Sequence, residues 1–202
     1  MQSVVALIAF WLASADNQMP PGSRATVCWH SPIPSADAFT FERAEIIASN
    51  IFKLAGLRLD WHDYGKPCPA DRDPILIDIL TATPKDFFPS ALGVSWPYEG
   101  VHIQIFYDRI ALLNYAGIAS AVLGHVLAHE IAHNLSGTEA HSATGVMKSR
   151  WDPAEMRDML TNPMHFTGVD ISILKNGLAV RHQRLVQLRN GTDLRLATAA
   201  SQ

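Results

Sequence analysis

The sequence predicts a single α+β domain, in which a mixed twisted sheet with a backing helix and a second helix is followed by a small carboxy-terminal subdomain. Three observations support this prediction. Short segments rich in β-branched residues occupy the first half of the chain. Segments with apolar residues at helical spacing lie between and after them. The chain has 202 residues, 48% of them hydrophobic, and no internal repeat, so we expect one continuous core.

The first half of the chain predicts one helix and a series of strands. Helical spacing of apolar residues, including Ile47 and Ile51, predicts a helix over residues 36–55, and Gly56 is a suitable stop. Residues 97–100 read as the turn of a hairpin between the last two strands. The predicted strands are residues 25–30, 57–62, 74–80, 91–96 and 101–107.

A second helix is predicted over residues 118–135, which contain no proline and end shortly before Gly137, a plausible left-handed stop. This helix carries the motif HEIAH at residues 129–133, which has the H-E-x-x-H spacing of zinc hydrolases. On a helix, its two histidines lie one turn apart on one face and can bind a single zinc ion. Glu130 stands beside them as a base.

A helix offers only two good zinc ligands at this spacing, so a catalytic ion needs a third ligand from elsewhere, with the fourth position left for water. We favour His141, because it lies just past the Gly137 turn, where the chain can fold back under the metal. Glu139, in the same loop, is an alternative. Glu155 is another, although an acidic residue in the first turn of a helix is favourable without a metal. The predicted ligands are therefore His129, His133 and His141.

Residues 129–147 resemble the metzincin signature, H-E-x-x-H-x-x-G-x-x-H followed by a methionine turn. In that signature, glycine and histidine stand three and six residues after the second histidine, at positions that Ser136 and Glu139 occupy here. This chain has Gly137 and His141 instead, as if one residue were added on each side of the turn. The composite HExxHxLxGxxxHSxxGxM, followed by an Arg-Trp pair, resembles a group of small exported matrixin-like proteins.

The resemblance extends beyond the motif, through ALG at residues 91–93 and FYD at residues 106–108, to most of the chain. It implies a metzincin-like zincin fold. An amino-terminal subdomain over residues 16–135 would contain the sheet, the backing helix and the active-site helix. A carboxy-terminal subdomain over residues 136–190 would contain the methionine turn and a late helix.

The resemblance also implies a zinc-dependent endopeptidase with one catalytic zinc ion. The three predicted histidine ligands would bind the ion, and Glu130 would act as general base, taking a proton from the bound water and passing it to the leaving amine. Met147 would form an apolar floor beneath the histidines, or is simply a buried methionine. A polypeptide substrate would bind as an extended strand along residues 91–96.

Two other functions fit the same residues. A zinc hydrolase of a non-protein amide or ester would use the same ligands and Glu130, and would differ in the shape of its cleft. A catalytically inactive metal-binding or peptide-binding protein would not require Glu130. The ring-bearing residues that could line a cleft are Trp96, Tyr98, Trp151 and His165.

His125 completes an i, i+4, i+8 series with the two histidines of the motif. Each four-residue step advances about 6 Å along a helix and turns about 40°. A metal ion bound by His129 and His133 would therefore lie too far from His125 for coordination. We therefore expect His125 to be a hydrogen-bonded core or supporting residue and not part of a second metal site.

The end of the chain predicts a late helix over residues 168–188. Thr167 and Asp170 are candidate capping residues at its start. Residues 191–202 are predicted to form a flexible tail.

The amino terminus predicts export. The apolar run over residues 4–13 is too short to span a bilayer, and ASA at residues 13–15 is an A-x-A cleavage pattern. We expect residues 1–15 to be a signal peptide and residues 16–202 to form one catalytic domain. The protein would be exported, and therefore either secreted or located in a periplasmic or extracellular compartment. Because no Lys or Arg precedes the apolar run, a retained anchor or a buried amino-terminal segment is the alternative.

Charge and cysteine content narrow the choice of compartment and partners. Cys28 and Cys68 are predicted to form a disulfide bond in an oxidising compartment. The net charge of −3 and the lack of a basic run argue against nucleic acid or an anionic membrane as the main partner. We expect no stable membrane association after the signal peptide is cleaved. We also expect the protein to be a monomer.

Overall fold

The computed structural model describes residues 19–113 and 117–199. The predicted signal peptide, residues 1–15, lies outside the described residues. The strands are β1 (Arg24–Trp29), β2 (Arg58–His62), β3 (Ile75–Leu80), β4 (Gly93–Ser95) and β5 (His102–Phe106). The α-helices are α1 (Ala38–Leu54), α2 (Tyr107–Ala111), α3 (Ile118–Ser136), α4 (Pro153–Asp158) and α5 (Gly168–Ala199). Single turns of 3₁₀-helix lie at Ser35–Asp37 and Ala70–Arg72.

The described strands form one five-stranded sheet in the order β2-β1-β3-β5-β4. β1, β2, β3 and β5 run parallel to one another, and β4 pairs antiparallel with β5 at the edge. The predicted hairpin over residues 97–100 is confirmed: Gly100 N–H donates to Trp96 O at 2.8 Å. The alternation of buried and half-buried residues in β3 matches a strand that packs one face against the core. Each predicted strand is present, and no strand end differs from its predicted position by more than two residues.

Helix α3 lies at the centre of the core, in contact with α1, α5, β4 and β5. It is buried along nearly its whole length, because apolar residues surround it on all sides. Gly124 lets α1 approach closely, since a Cβ at this position would lie 2.7 Å from the Ile47 side chain. The mixed α/β architecture predicted from the sequence is confirmed, whereas the division into two subdomains remains a prediction.

Helix α5 begins at the predicted Gly168 and continues to Ala199, beyond the predicted end at residue 188. Its capping was predicted correctly: Thr167 N–H donates to Asp170 Oδ2 at 2.7 Å, and Asp170 N–H donates to Thr167 Oγ1 at 3.2 Å. Further along α5, Arg181 donates to Gly100 O at 2.5 Å and to Asp73 O at 2.8 Å. These bonds fasten the late helix to the loops of the sheet.

A disulfide bond joins Cys28 in β1 to Cys68 in the segment after β2, as the sequence predicted. It closes a loop of sequence separation 40 that contains α1 and β2. Among the described residues, no helix has both the length and the apolar character needed to cross a membrane.

Candidate metal and active site

The two histidines of the motif lie on α3 with their rings 4.6 Å apart. His129 Nδ1 donates to Val146 O at 2.8 Å, and His133 Nδ1 donates to Thr138 O at 2.8 Å. A carbonyl oxygen can only accept, so each Nδ1 carries the proton and each Nε2 keeps its lone pair. The two Nε2 atoms lie 3.0 Å apart. Both rings therefore present an acceptor to the same point.

Burial keeps these imidazoles neutral. Desolvation is the main cause that lowers the pKa of His129 to about 4, and His141 lowers it further, against the bond to Val146. Desolvation likewise lowers the pKa of His133 to about 4, with an additional contribution from His129. Because both rings are neutral near pH 7, no proton is available to bridge the two Nε2 atoms. Two lone pairs that face each other at this separation repel, and a cation bound between them would relieve that repulsion.

His141 completes a cluster of three imidazoles. Its ring lies 5.2 Å from the His129 ring and 4.9 Å from the His133 ring. One nitrogen from each histidine lies within 4.8 Å of the other two. Among the described residues, this is the one group of three or more such side chains that could hold a metal ion. His141 is exposed, whereas the two histidines of α3 are buried.

The structure does not bring the alternative third ligands into this cluster. Glu139 is exposed and lies outside the group of potential ligands. Glu155 accepts from Lys148 Nζ at 2.6 Å and 2.8 Å, and its Oε2 accepts from Asp152 N–H at 2.8 Å. Its carboxylate completes the capping box of α4, which is the metal-free role weighed from the sequence.

The loop after α3 folds back because of one glycine and several side-chain bonds. Gly137 has a φ of 68° and ends the helix, with its N–H donating to His133 O at 2.9 Å. Ser142 N–H donates to Met147 O at 2.9 Å, and the Ser142 hydroxyl donates to Asp170. These bonds fix the chain on both sides of His141. The turn therefore places His141 beside the other two histidines although it is longer than in the metzincin signature.

Glu130 lies beside the histidines, and its Oε2 accepts from Ser95 Oγ at 2.7 Å. Burial raises the pKa of Glu130, an effect partly offset by His133 and by the Ser95 hydroxyl. Sequence reasoning did not identify Ser95, which lies in β4, 35 residues before the motif. Gly93 allows β4 to come this close to α3, because a Cβ there would lie 3.1 Å from Glu130 Cγ.

The cluster opens into a cleft of about 480 Å³. One rim is the segment that leads into β4, and the other rim is the segment after Met147. Of the ring-bearing residues suggested from the sequence, Trp151 lines the cleft, and its ring lies 5.6 Å from that of His129. The described lining residues are Phe88, Ser90, Ala91, Leu92, Gly93, Val126, His129, Glu130, His141, Lys148, Ser149, Arg150, Trp151 and Met156.

His125 is a fully buried core residue. Its Nδ1 donates to Ala121 O at 2.7 Å, and its Nε2 accepts from Met164 N–H at 3.0 Å. Both ring nitrogens are therefore engaged, and burial lowers its pKa so that the ring is neutral. The structure confirms the core interpretation. Met147 is also buried.

The fold resembles that of archaemetzincin from Methanopyrus kandleri, known from its crystal structure, with a TM-score of 0.51 and 14% sequence identity. The similarity covers 83% of this chain and 99% of that chain. No protein family model matches this sequence. No curated protein sequence matches it significantly. The finer resemblance to exported matrixin-like proteins remains a prediction, and the structural likeness shows that the chain has a zincin-like fold.

Proposed function

We propose that this protein is a zinc-dependent endopeptidase in which His129, His133 and His141 hold one catalytic zinc ion. The observation that carries the proposal is the pair of neutral Nε2 atoms that face each other at 3.0 Å beside a third imidazole. Two nitrogens about 2.0–2.1 Å from a tetrahedral zinc lie about 3.3 Å apart, so the observed spacing suits this ion. Three protein nitrogens leave one coordination position for water or substrate, as in catalytic zinc sites.

When bound, the zinc ion would polarise the scissile carbonyl and lower the pKa of a water molecule to about 7. Glu130 would accept the proton of the attacking water. The same carboxyl would then deliver that proton to the nitrogen of the leaving amine. Ser95 would hold one carboxylate oxygen through its hydroxyl, which leaves the other oxygen for this proton transfer. Burial of Glu130 favours its protonated form, which the second step requires.

The proposed substrate is a polypeptide bound as an extended strand. β4 is the edge strand of the sheet, paired within the described residues with β5 on one side. Ala91, Leu92 and Gly93 line the cleft, so the unpaired side of this segment lies next to the histidine cluster. An extended peptide can add to such an edge through main-chain hydrogen bonds. We also propose export, which the Cys28–Cys68 disulfide supports, because such bonds persist in oxidising compartments.

The proposal is tested by measuring zinc content and cleavage of an unfolded protein on the same samples of purified chain. We expect one zinc ion per chain. Glu130→Gln should keep the zinc and lose about 10²–10⁴-fold in rate, the usual range for a general base. His141→Ala should weaken zinc binding. Glu139→Gln, a matched change in the same loop, should alter neither quantity.

Four results would contradict parts of the proposal. Cleavage that survives in Glu130→Gln would exclude Glu130 as the base. Zinc loss in Glu139→Gln but not in His141→Ala would give the third ligand to Glu139. A zinc-loaded protein that hydrolyses simple amides or esters but no polypeptide would favour the non-protein hydrolase. A zinc-loaded protein that hydrolyses neither would favour a binding protein.

A further inference from the structure

Two cationic side chains line the cleft, and their surroundings differ. Lys148 is neutralised by Glu155, whose two carboxylate oxygens lie 2.6 Å and 2.8 Å from Lys148 Nζ. Arg150 is exposed and donates to the neutral hydroxyl of Ser90 at 3.2 Å. Within the described part of the chain, no carboxylate lies within ion-pair distance of Arg150. The cleft therefore contains one guanidinium whose charge is not balanced by a neighbouring acid.

The bond between Arg150 and Ser90 spans the cleft from one rim to the other. Ser90 belongs to the segment before β4, which Arg109 holds by donating to Phe88 O and Ala91 O, each at 2.6 Å. On the opposite rim, Trp151 follows Arg150 directly and packs its ring 5.6 Å from that of His129. The guanidinium thus lies across the cleft that also contains the histidine cluster.

Glu130, the acidic residue that lines the cleft, does not form an ion pair with Arg150. Glu130 is 8% exposed and is bonded to Ser95, on the floor of the cleft. A zinc ion on the three histidines would add further positive charge. A ligand that brings a carboxylate to this rim would replace a single bond to a hydroxyl with a charge-assisted, bidentate pair.

We propose that Arg150 makes this site selective for polypeptides that carry an aspartate or glutamate beside the scissile bond. This inference rests on the proposed endopeptidase function and names its substrate class. The carboxylate of the substrate displaces the Ser90 hydroxyl from the guanidinium and is held between the two rims. Charge-assisted hydrogen bonds of this kind correspond to a preference of about tenfold in kcat/KM over the glutamine or asparagine counterpart.

The experiment begins with the zinc-loaded full chain and a mixture of unfolded peptides, whose cleavage sites are mapped by mass spectrometry. Acidic residues should be enriched at one position beside the cleaved bond. Two peptides that differ only by glutamate or glutamine at that position then give the ratio of kcat/KM values. We expect a ratio of about ten at low salt, and a smaller ratio as the salt concentration rises.

Four variants assign the preference to Arg150. Arg150→Gln should reduce the ratio to about one by slowing cleavage of the glutamate peptide alone, and Arg150→Glu should reverse the preference in favour of a lysine peptide. Arg157→Gln removes an exposed arginine of α4 that does not line the cleft, and it should leave the ratio unchanged. Ser90→Ala should keep the preference, because the hydroxyl only occupies the guanidinium until substrate binds. Zinc content should be the same in all four variants.

The outcomes separate this inference from the proposed function. Peptide cleavage without an acidic preference, or a preference that persists in Arg150→Gln, would overturn the inference and leave the endopeptidase intact. Suppose that Arg150→Gln and Ser90→Ala each lower kcat/KM equally for the glutamate and glutamine peptides. The bond between Arg150 and Ser90 would then only stabilise the cleft and would not recognise the substrate. A zinc-loaded protein that cleaves no peptide would overturn both proposals.

Discussion

Helix α3 and the loop over residues 137–147 supply the same cluster of histidines in different ways. The helix contributes two buried rings, each fixed by a hydrogen bond from Nδ1. The loop contributes one exposed ring, His141, which is positioned through its neighbour Ser142. The carbonyls that fix the helical rings, Thr138 O and Val146 O, belong to the loop.

The spacing of the histidines and the orientation of their rings are therefore set by different parts of the molecule. The helix sets the separation of two histidines, because residues four apart lie on one face. The loop sets the tautomer of both rings and supplies the third imidazole, so it acts on all three histidines. Buried rings with fixed tautomers form a preorganised pair, whereas the exposed ring can adjust when an ion binds.

Acidification of the metal-free protein should have the largest effect and should act on the helical pair. The folded pKa values of His129 and His133 are about 4, below the unfolded value of about 6.5. The unfolded state therefore binds more protons below pH 6.5. The unfolding free energy is greatest above pH 6.5, where both states leave these rings unprotonated. It decreases as the pH is lowered towards 4, by on the order of 3 kcal/mol for each histidine.

Urea unfolding in the presence of a chelator at several pH values between 4 and 7.5 measures this loss. His141→Ala should follow the wild type, because the exposed loop ring contributes little to the folded core. His129→Ala should have a shallower pH dependence. Equal slopes in all three proteins would refute the distinction between the helical pair and the loop ligand.

Gly145→Ala should damage the loop and, through it, the helical pair. Gly145 has a φ of 77°, and a Cβ there would lie 2.4 Å from His165 O. The next residue, Val146, carries the carbonyl that orients His129. Left-handed strain and overpacking together should lower the unfolding free energy by about 3 kcal/mol and weaken zinc binding.

Gly65→Ala is the matched control for this substitution. Gly65 has the same φ of 77°, but a Cβ there meets no atom within 4 Å. It should cost about 1 kcal/mol from backbone strain alone and leave zinc affinity unchanged. Chemical denaturation and zinc titration measure both quantities, and equal costs at the two glycines would argue against the contact with His165.

The helical and loop histidines should differ in metal-free stability at pH 7.5. His129→Ala removes a buried ring and its bond to Val146 O, so it should cost about 2 kcal/mol. His141→Ala should change the unfolding free energy by less than about 0.5 kcal/mol, as expected for an exposed side chain. Both should weaken zinc binding. A large stability loss in metal-free His141→Ala would show that the loop ring also packs into the core.

Asp170→Ala should have a smaller effect than the glycine and buried-histidine substitutions, and it should act on both the loop and the start of α5. Asp170 is buried, caps α5 through Thr167 and accepts from Ser142 beside His141. Its loss should cost about 1–2 kcal/mol and lower zinc affinity by about tenfold, as the loop is less well held.

Asp152→Ala is the control for Asp170→Ala, because Asp152 also belongs to a capping arrangement, as the residue that precedes α4. Among the described residues, its side chain makes no hydrogen bond to the loop over residues 137–147. It should leave zinc affinity unchanged. Zinc titration of both variants checks this, and equal affinities in the two would argue that Ser142 does not transmit the effect of Asp170.

Much of the fold followed from local patterns. The helix over residues 118–135, its stop at Gly137 and the capping pair of α5 were predicted to within a residue, because periodicity and end signals are local properties. The role of His125 followed from helix geometry. The end of α5 was predicted too early, since the polar sequence after residue 188 gives no apolar period although the helix continues.

Other parts of the site depend on contacts between distant segments. The bond from Ser95 to Glu130 and the bond from Arg150 to Ser90 each join residues 35 or more positions apart. Neither has a local signal, because a serine in a predicted strand or an arginine in a loop is common. The order of strands, which places β4 at the edge beside the cleft, is likewise set by pairing and not by the sequence of any one strand.

The sequence by itself determined the spacing of His129 and His133, the place of Glu130 between them and the turn that brings the chain back at Gly137. These features depend on neighbours within a few residues, where helix geometry leaves little freedom. Only the tertiary structure decided that His141 and not Glu139 joins the pair, which carbonyls orient the rings, and which hydroxyl donates to Glu130. Those choices depend on how the loop packs against α5 and how closely β4 approaches α3, and such long-range packing leaves no periodic trace in the chain.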